Sequence, residues 1–140
     1  MQVASLRPKM DSFRCTSFHG ENKATSSGND PWTIQLTQTI EVGLAAAQSN
    51  PKPLQAMVRI ELVAQASKPD AKDQTAEFSG SYDAKFNYPP GATEAKITPL
   101  FDQEAYQYVL VAQAFPLATT HFRREMQSMG FDARELPLGI

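Results

Sequence analysis

"WTIQLTQTIEVGL", residues 32–44, is the stretch on which the fold turns. Trp32, Ile34, Leu36, Ile40, Val42 and Leu44 fall on one parity, and Thr33, Gln35, Thr37, Thr39 and Glu41 on the other. Side chains alternate along an extended strand, so this pattern sets a continuous apolar stripe against a polar face. Something must cover that stripe: this chain, a second copy or a ligand.

The same alternation recurs downstream. In "LQAMVRIELVA", Leu54, Ala56, Val58, Ile60, Leu62 and Ala64 share a parity, with Arg59 and Glu61 facing the other way. In "TAEFSGSYDAKFNY", Ala76, Phe78, Tyr82, Ala84, Phe86 and Tyr88 alternate with Glu77, Ser79, Ser81, Asp83, Lys85 and Asn87. Pro51 and Pro53 break the chain between the first two of these strands, Pro69-Asp70 marks the next turn, and "PPG" at 89–91 ends the series. Three alternating strands with short connections predict an antiparallel meander with one buried face. A weaker strand, "DSFRCTSF", precedes them and is expected to join an edge after the polar loop "HGENKATSSGNDP", residues 19–31.

At residue 101 the period changes. Phe101, Ala105, Tyr108, Ala112, Phe115, Thr119, Phe122, Met126 and Met129 recur three and four apart, which predicts a helix ended by Gly130. Pro116 lies inside it and predicts a kink, or two helices meeting there. The fold class is therefore α+β: a four-stranded antiparallel sheet followed by a long, Pro-kinked C-terminal helix. Its expected strands span about 3–18, 32–44, 54–66 and 75–88, and its helix about 101–129, within one domain covering residues 1–140. Tyr106, Val109, Leu110, Val111 and Leu117 add apolar surface off the main stripe. A helix that is apolar nearly all round must be buried nearly all round. A homodimer or tetramer is expected, with Tyr106, Val109, Leu110, Phe115, Leu117 and Phe122 at the interface.

Composition narrows the function. The net charge of −2 gives no general attraction to nucleic acid or to an acidic membrane. No apolar run approaches the ~20 residues of a membrane span, and the first residues lack the apolar core of a signal peptide. A cytoplasmic location is expected. The single cysteine, Cys15, excludes a disulfide framework within the chain and has no identifiable base. His19 and His121 lack partners at metal-ligand spacing, and "SSGND" is not a phosphate loop. No catalytic residue, metal or cofactor is expected. The aromatic members of the apolar parity read either as core or as a groove for extended apolar peptide. On the second reading Trp32, Ile34, Phe78, Tyr82, Phe86 and Tyr88 line the client-binding groove.

The C-terminal third resembles the SecB export chaperones. In "AFPLATTHFRREMQSMGFDARELPLGI", Phe115, Pro116, Ala118, Met129, Gly130, Leu136 and Leu138 match the family's helix and the segment after it. Trp32 in "DPWTIQL" matches the tryptophan that opens its second strand. "VRIELVAQA" resembles its third strand, and "FNYPPG" the exit from sheet to helix. The resemblance implies helices sandwiched between two sheets in a dimer of dimers, and an ATP-independent holdase for unfolded clients. The sequence stops at Ile140, ahead of the family's second helix and SecA-contacting tail, and an acid expected on the fourth strand falls near Ser79. Docking to SecA is therefore not expected. The alternative is a module dedicated to one protein partner: a toxin–antitoxin chaperone, or a phage-encoded adaptor or inhibitor.

Overall fold

The computed structural model describes residues 7–24, 32–45, 54–68 and 71–131. The strands are β1 (Lys9–Asn22), β2 (Thr33–Ala45), β3 (Gln55–Lys68) and β4 (Ala71–Asn87), followed by helices α1 (Glu94–Phe101) and α2 (Glu104–Ser128). β2, β3 and β4 form the expected meander, and β1 lies antiparallel beside β4, giving the order β1-β4-β3-β2. The start of the first strand before residue 7, the loop over 25–31, the turns at Pro51, Pro53 and Pro69-Asp70, and the segment with Leu136 and Leu138 lie outside the described residues.

Register explains the core. On the inner face of the sheet, large side chains on β4 sit opposite small ones on β3: Phe86 against Ala56 and Phe78 against Ala64. Where β3 carries Leu62, β4 supplies Gly80. At these positions large side chains are matched by small ones, as close packing requires. α2 lies across that face and touches all four strands. Its buried stripe is Leu110, Val111, Ala114, Phe115, Ala118, Thr119, Phe122 and Met126. Each large apolar side chain fully withdrawn from water contributes about 1.5–3 kcal/mol.

Three local features differ from the sequence reading. β1 runs on to Asn22, taking in residues assigned to the loop, because His19 to Asn22 pair with Ser79 to Ala76. Two bulges interrupt β1, at Asp11 and Thr16, which fall between the register pairs with β4. Each bulge flips the parity, so Met10, Phe13 and Phe18 lie opposite Phe86, Ala84 and Gly80 on one face of the sheet. A strict period of two cannot show such a strand. α1 was not foreseen at all. Thr93 caps it by accepting a hydrogen bond from the Lys96 amide at 3.4 Å, Glu94 suits its positive end, and Ile97 anchors it in the core. Pro99 inside this short helix masked the pattern.

α2 is one helix from Glu104 to Ser128, with Pro116 inside it, so two helices do not meet there. Pro116 is exposed. The Ala112 carbonyl, which it leaves without an intrahelical donor, can be met by water. Gly130 ends the helix as expected, with φ of 81° and its amide donating to the Gln127 carbonyl. Asn22 then ties β1 to this end by donating to the Met129 carbonyl at 3.0 Å.

Candidate functional site

β2 is the sheet's edge strand on the side away from β1. Its even-numbered residues from Trp32 to Leu44 are all half-buried, while the odd-numbered ones from Thr33 to Gly43 are exposed. By contrast, the same face of β3 is closed, with Val58, Ile60 and Leu62 almost fully buried. α2 covers the middle of the sheet and only partly reaches its β2 side, so the apolar stripe of residues 32–44 is half covered.

The uncovered part opens into a trough of about 560 Å³ between β2 and the first half of α2. Gln38, Ile40 and Val42 form its floor, and Glu104, Gln107, Tyr108 and Val111 its wall. Tyr108 is 56% exposed and stands over it. Glu104 is the single charged side chain of the lining. β2 and α2 run in opposite directions, so the far end of β2 meets the C-terminal end of α2. There Trp32 packs on Phe131, with ring centroids 5.3 Å apart, and the Lys68 ammonium lies 5.2 Å from the indole centroid. Trp32 is thus half-buried between an aromatic and a cation, with part of its surface open.

The other four residues assigned to a groove are core. Phe78, Tyr82, Phe86 and Tyr88 are 0–3% exposed and lie between sheet and helix. Their parity was read correctly. The helix, however, lies directly on them, so they offer no surface to a ligand in this arrangement. The interface residues divide likewise. Leu110, Phe115 and Phe122 are buried within the chain, Tyr106 is half-buried, and Val109 and Leu117 are each 44% exposed. The physical reason is the phase of the stripe. The face counted from Phe101 through Ala105, Tyr108 and Ala112 does not continue the buried face, because the chain turns at Asp102 and Gln103 between α1 and α2. Once Phe101 is assigned to α1, the buried face is Leu110, Val111, Ala114, Phe115 and Ala118, and Tyr108 turns outward. Ile40, Val42, Tyr108 and Val111 were missed as trough residues. The available signal was the position of β2 at an edge, where an apolar stripe can have only partial cover.

A short polar chain runs from the buried Tyr82 out to the half-exposed His121 and Glu125. The Tyr82 hydroxyl is 2.9 Å from His121 Nδ1, and His121 Nε2 is 3.6 Å from a Glu125 carboxylate oxygen. The Tyr88 and Tyr106 hydroxyls also bond one another. Burial pushes Tyr82 well above its ordinary value of 10.0, with Cys15 and Glu125 adding to the effect. Burial likewise raises Tyr88, helped by the bond to Tyr106. Both phenols keep protons in the folded chain that an unfolded chain gives up near pH 10. The folded state then binds more protons, so this contribution is intact below pH 10 and declines as pH rises beyond it. The urea midpoint is expected to fall steadily above pH 10. Tyrosinate absorbance from these two rings should appear only together with unfolding, and a midpoint flat to pH 11 would contradict it.

Among the described residues no group of three or more His, Cys, Asp or Glu is placed to hold a metal ion, and no helix is long and apolar enough to cross a membrane.

A four-stranded antiparallel sheet of this order, followed by a long helix across its inner face, is the SecB-like fold. Among solved structures the chain is similar to the Mycobacterium tuberculosis Rv1957 SecB-like chaperone, determined in complex with a ChAD peptide from the Rv1956 HigA1 antitoxin. The TM-score is 0.63 and the sequence identity 14%, over 92% of this chain and 87% of that one. At this identity the likeness is one of fold. No protein-family profile matches the sequence, and no curated protein sequence does either.

Proposed function

We propose that this protein is a non-enzymatic, SecB-like chaperone that holds extended apolar segments of other proteins without ATP. The observation that carries this reading is the half-covered apolar stripe of β2 opening into the trough beside Tyr108, on a SecB-like fold. Burial of client side chains there contributes about 25 cal/mol per Å² before ordering costs. Many weak apolar contacts along an extended chain need no catalytic group and accept varied sequences. The chaperone acts in the cytoplasm. It uses no cofactor and engages neither nucleic acid nor membrane.

A second reading is a chaperone dedicated to one protein, such as an antitoxin or a phage-encoded partner. The Rv1957 structure, with its antitoxin peptide, favours it. A panel of reduced, denatured clients separates the two: broad suppression of aggregation supports the general holdase, and uniform failure supports the dedicated partner.

Trp32 reports on the client. Its indole is the only one in the chain. Adding an unfolded client that binds is expected to change its emission. Trp32→Ala is expected to weaken client binding by about 1–3 kcal/mol while costing less stability than the ~3–5 kcal/mol of a fully buried aromatic. Unchanged affinity with a large loss of stability would make Trp32 a purely structural residue.

The exposed side of α2 is where a second copy belongs. Val109 and Leu117 are exposed, and from Ala105 to Thr120 the helix has no charged residue. The protein is expected to be a dimer or tetramer at micromolar concentration by light scattering. The Val109→Glu, Leu117→Glu double variant is expected to be monomeric, with an unfolding midpoint that no longer rises with protein concentration as the wild type's does. A wild-type monomer would remove the oligomer from the proposal.

A further inference from the structure

One lysine stands where the pattern calls for an apolar residue. On the inner face of β3 the even-numbered residues from Ala56 to Ala66 are all apolar and buried, and the next in the series is Lys68. Lys68 is 4% exposed, as withdrawn as the residues before it. The register that pairs Thr33 with Ser67, continued by one residue, sets it across from Trp32. Its ammonium lies 5.2 Å from the indole centroid.

A buried cation is costly unless an anion or hydrogen bonds meet it. The face of an indole offsets only part of that cost. Elsewhere on the sheet the exposed cations Arg14, Arg59 and Lys23 each have a carboxylate at 3.3–3.8 Å. Lys68, the buried one, has no ion pair and no side-chain hydrogen bond among the described residues. The acids that could be counted against this corner are placed elsewhere. Glu77 of β4 lines a hollow with Thr33 and Ser67 on the opposite face of the sheet. Glu104 opens α2, whereas Phe131, which packs on Trp32, follows its other end.

A lysine buries its methylenes and carries its ammonium toward water. Trp32 beside it is only half-buried, so the open part of the indole is the approach to the ammonium. The ligand chemistry that fits is a carboxylate on an apolar carrier. The carboxylate meets the ammonium, and the apolar groups next to it lie on the indole. A cationic group in the same place is repelled.

We propose that Lys68 and Trp32 form a carboxylate-binding subsite, which takes an acidic side chain or a chain-end carboxylate flanked by apolar residues. The inference rests on the chaperone reading and names the residue that sets which charge a client carries at this corner.

The probes are short peptides of leucine, valine and serine, blocked at both ends, that differ at one central residue: aspartate, asparagine or lysine. A fourth carries the asparagine and a free C-terminal carboxylate. Binding is read from Trp32 emission and by calorimetry. The aspartate peptide or the fourth peptide is expected to bind about fivefold tighter than the blocked asparagine peptide, the scale of one ion pair near a surface. Which of the two does so tells a side-chain source from a chain end. The lysine peptide is expected to bind most weakly. Lys68→Met should erase these differences without weakening the blocked asparagine peptide, and Lys68→Arg should keep them. Lys68→Gln makes the same comparison if the methionine variant does not fold. Equal affinities across the wild-type series would overturn the subsite, and that is the result if an acid of this chain already holds Lys68. A preference that survives loss of the charge overturns it too, as does failure of every peptide to bind. Denatured clients measured alongside keep the two ideas apart: clients that bind while the peptides show no charge preference leave the chaperone reading intact and remove only the subsite.

Discussion

Phe122→Ala is expected to lower the free energy of unfolding by about 3–5 kcal/mol, the range for truncating a buried phenylalanine. Phe122 is 0% exposed and sits where α2 presses on the sheet. Phe18 of β1 meets its ring edge-on, with centroids 5.9 Å apart. The edge strand β1 pairs with β4, and Phe18 also fastens it to the helix through Phe122 and His121. Truncation leaves a cavity lined by Phe18 and its neighbours, and it removes the aromatic pair. The bulges that aim Phe18 inward cannot re-aim it to fill the gap. Equilibrium urea unfolding measures the loss. The slope against denaturant should be unchanged, because the same surface is exposed on unfolding. The expected result also distinguishes core from interface. An interface Phe122 would show a change in oligomeric state with a stability loss that depends on protein concentration. A core Phe122 shows the same loss at every concentration.

That distinction marks how far the sequence alone could be read. The strands β3 and β4 were legible because an inner face closed by the helix forces alternation, and β2 because its half-covered inner face keeps the same alternation except at Gln38. Gly130 was legible because a left-handed residue after an amphipathic run has few other uses. β1 was legible only in part. Its bulges at Asp11 and Thr16 reset the parity twice, so Met10, Phe13 and Phe18 share a face without sharing a period. The helix face was half legible. From Phe115 to Met126 the counted stripe is the buried one, whereas before Phe115 it is displaced, because Phe101 belongs to α1.

The candidate site depends on a different kind of information. Ile34 on β2 and Trp32 just before it are half-buried beside the trough but do not line it. Phe78, Tyr82, Phe86 and Tyr88 carry the same chemical signature as a groove lining, and only the placement of α2 makes them core. Tyr108 shows the converse. An aromatic on an apolar helix reads as core, and it becomes a trough wall because, among the described residues, the edge strand beneath it has no further neighbour. Alternation in a strand tells which residues share a face. It does not tell how much of that face the rest of the chain can cover.

Gly80→Ala is expected to destabilise the protein by about 1–3 kcal/mol, the usual cost of forcing extra volume into a packed core. The sign is the informative part. Glycine weakens a strand interior, and alanine in its place would ordinarily help. Here a Cβ on residue 80 would lie 2.7 Å from the Tyr82 hydroxyl oxygen and 2.9 Å from Cε2 of the same ring. Tyr82 cannot step aside freely. It is 0% exposed, Phe13 stacks on it at 5.9 Å, and its hydroxyl is held by His121. The added methyl therefore costs either the Tyr82–His121 bond, leaving a buried hydroxyl without its partner, or a shift of the ring against Phe13. A double-mutant cycle separates this from a generic strand effect. Tyr82→Phe removes the oxygen that makes the closest contact. Gly80→Ala should cost less in that background than in the wild type, although the contact to the ring carbon keeps it above zero. A coupling of about 0.5 kcal/mol or more between the two substitutions is expected for groups in direct contact. Independent, additive effects would place the cost elsewhere, most simply in the pairing of Gly80 with Leu62 on β3 and Phe18 on β1. His121 supplies a second readout, since the Tyr82 hydroxyl meets one of its ring nitrogens. Its ring resonances at fixed pH should move when Gly80→Ala displaces that hydroxyl, and unmoved resonances with a full loss of stability would favour the ring shift over the broken bond.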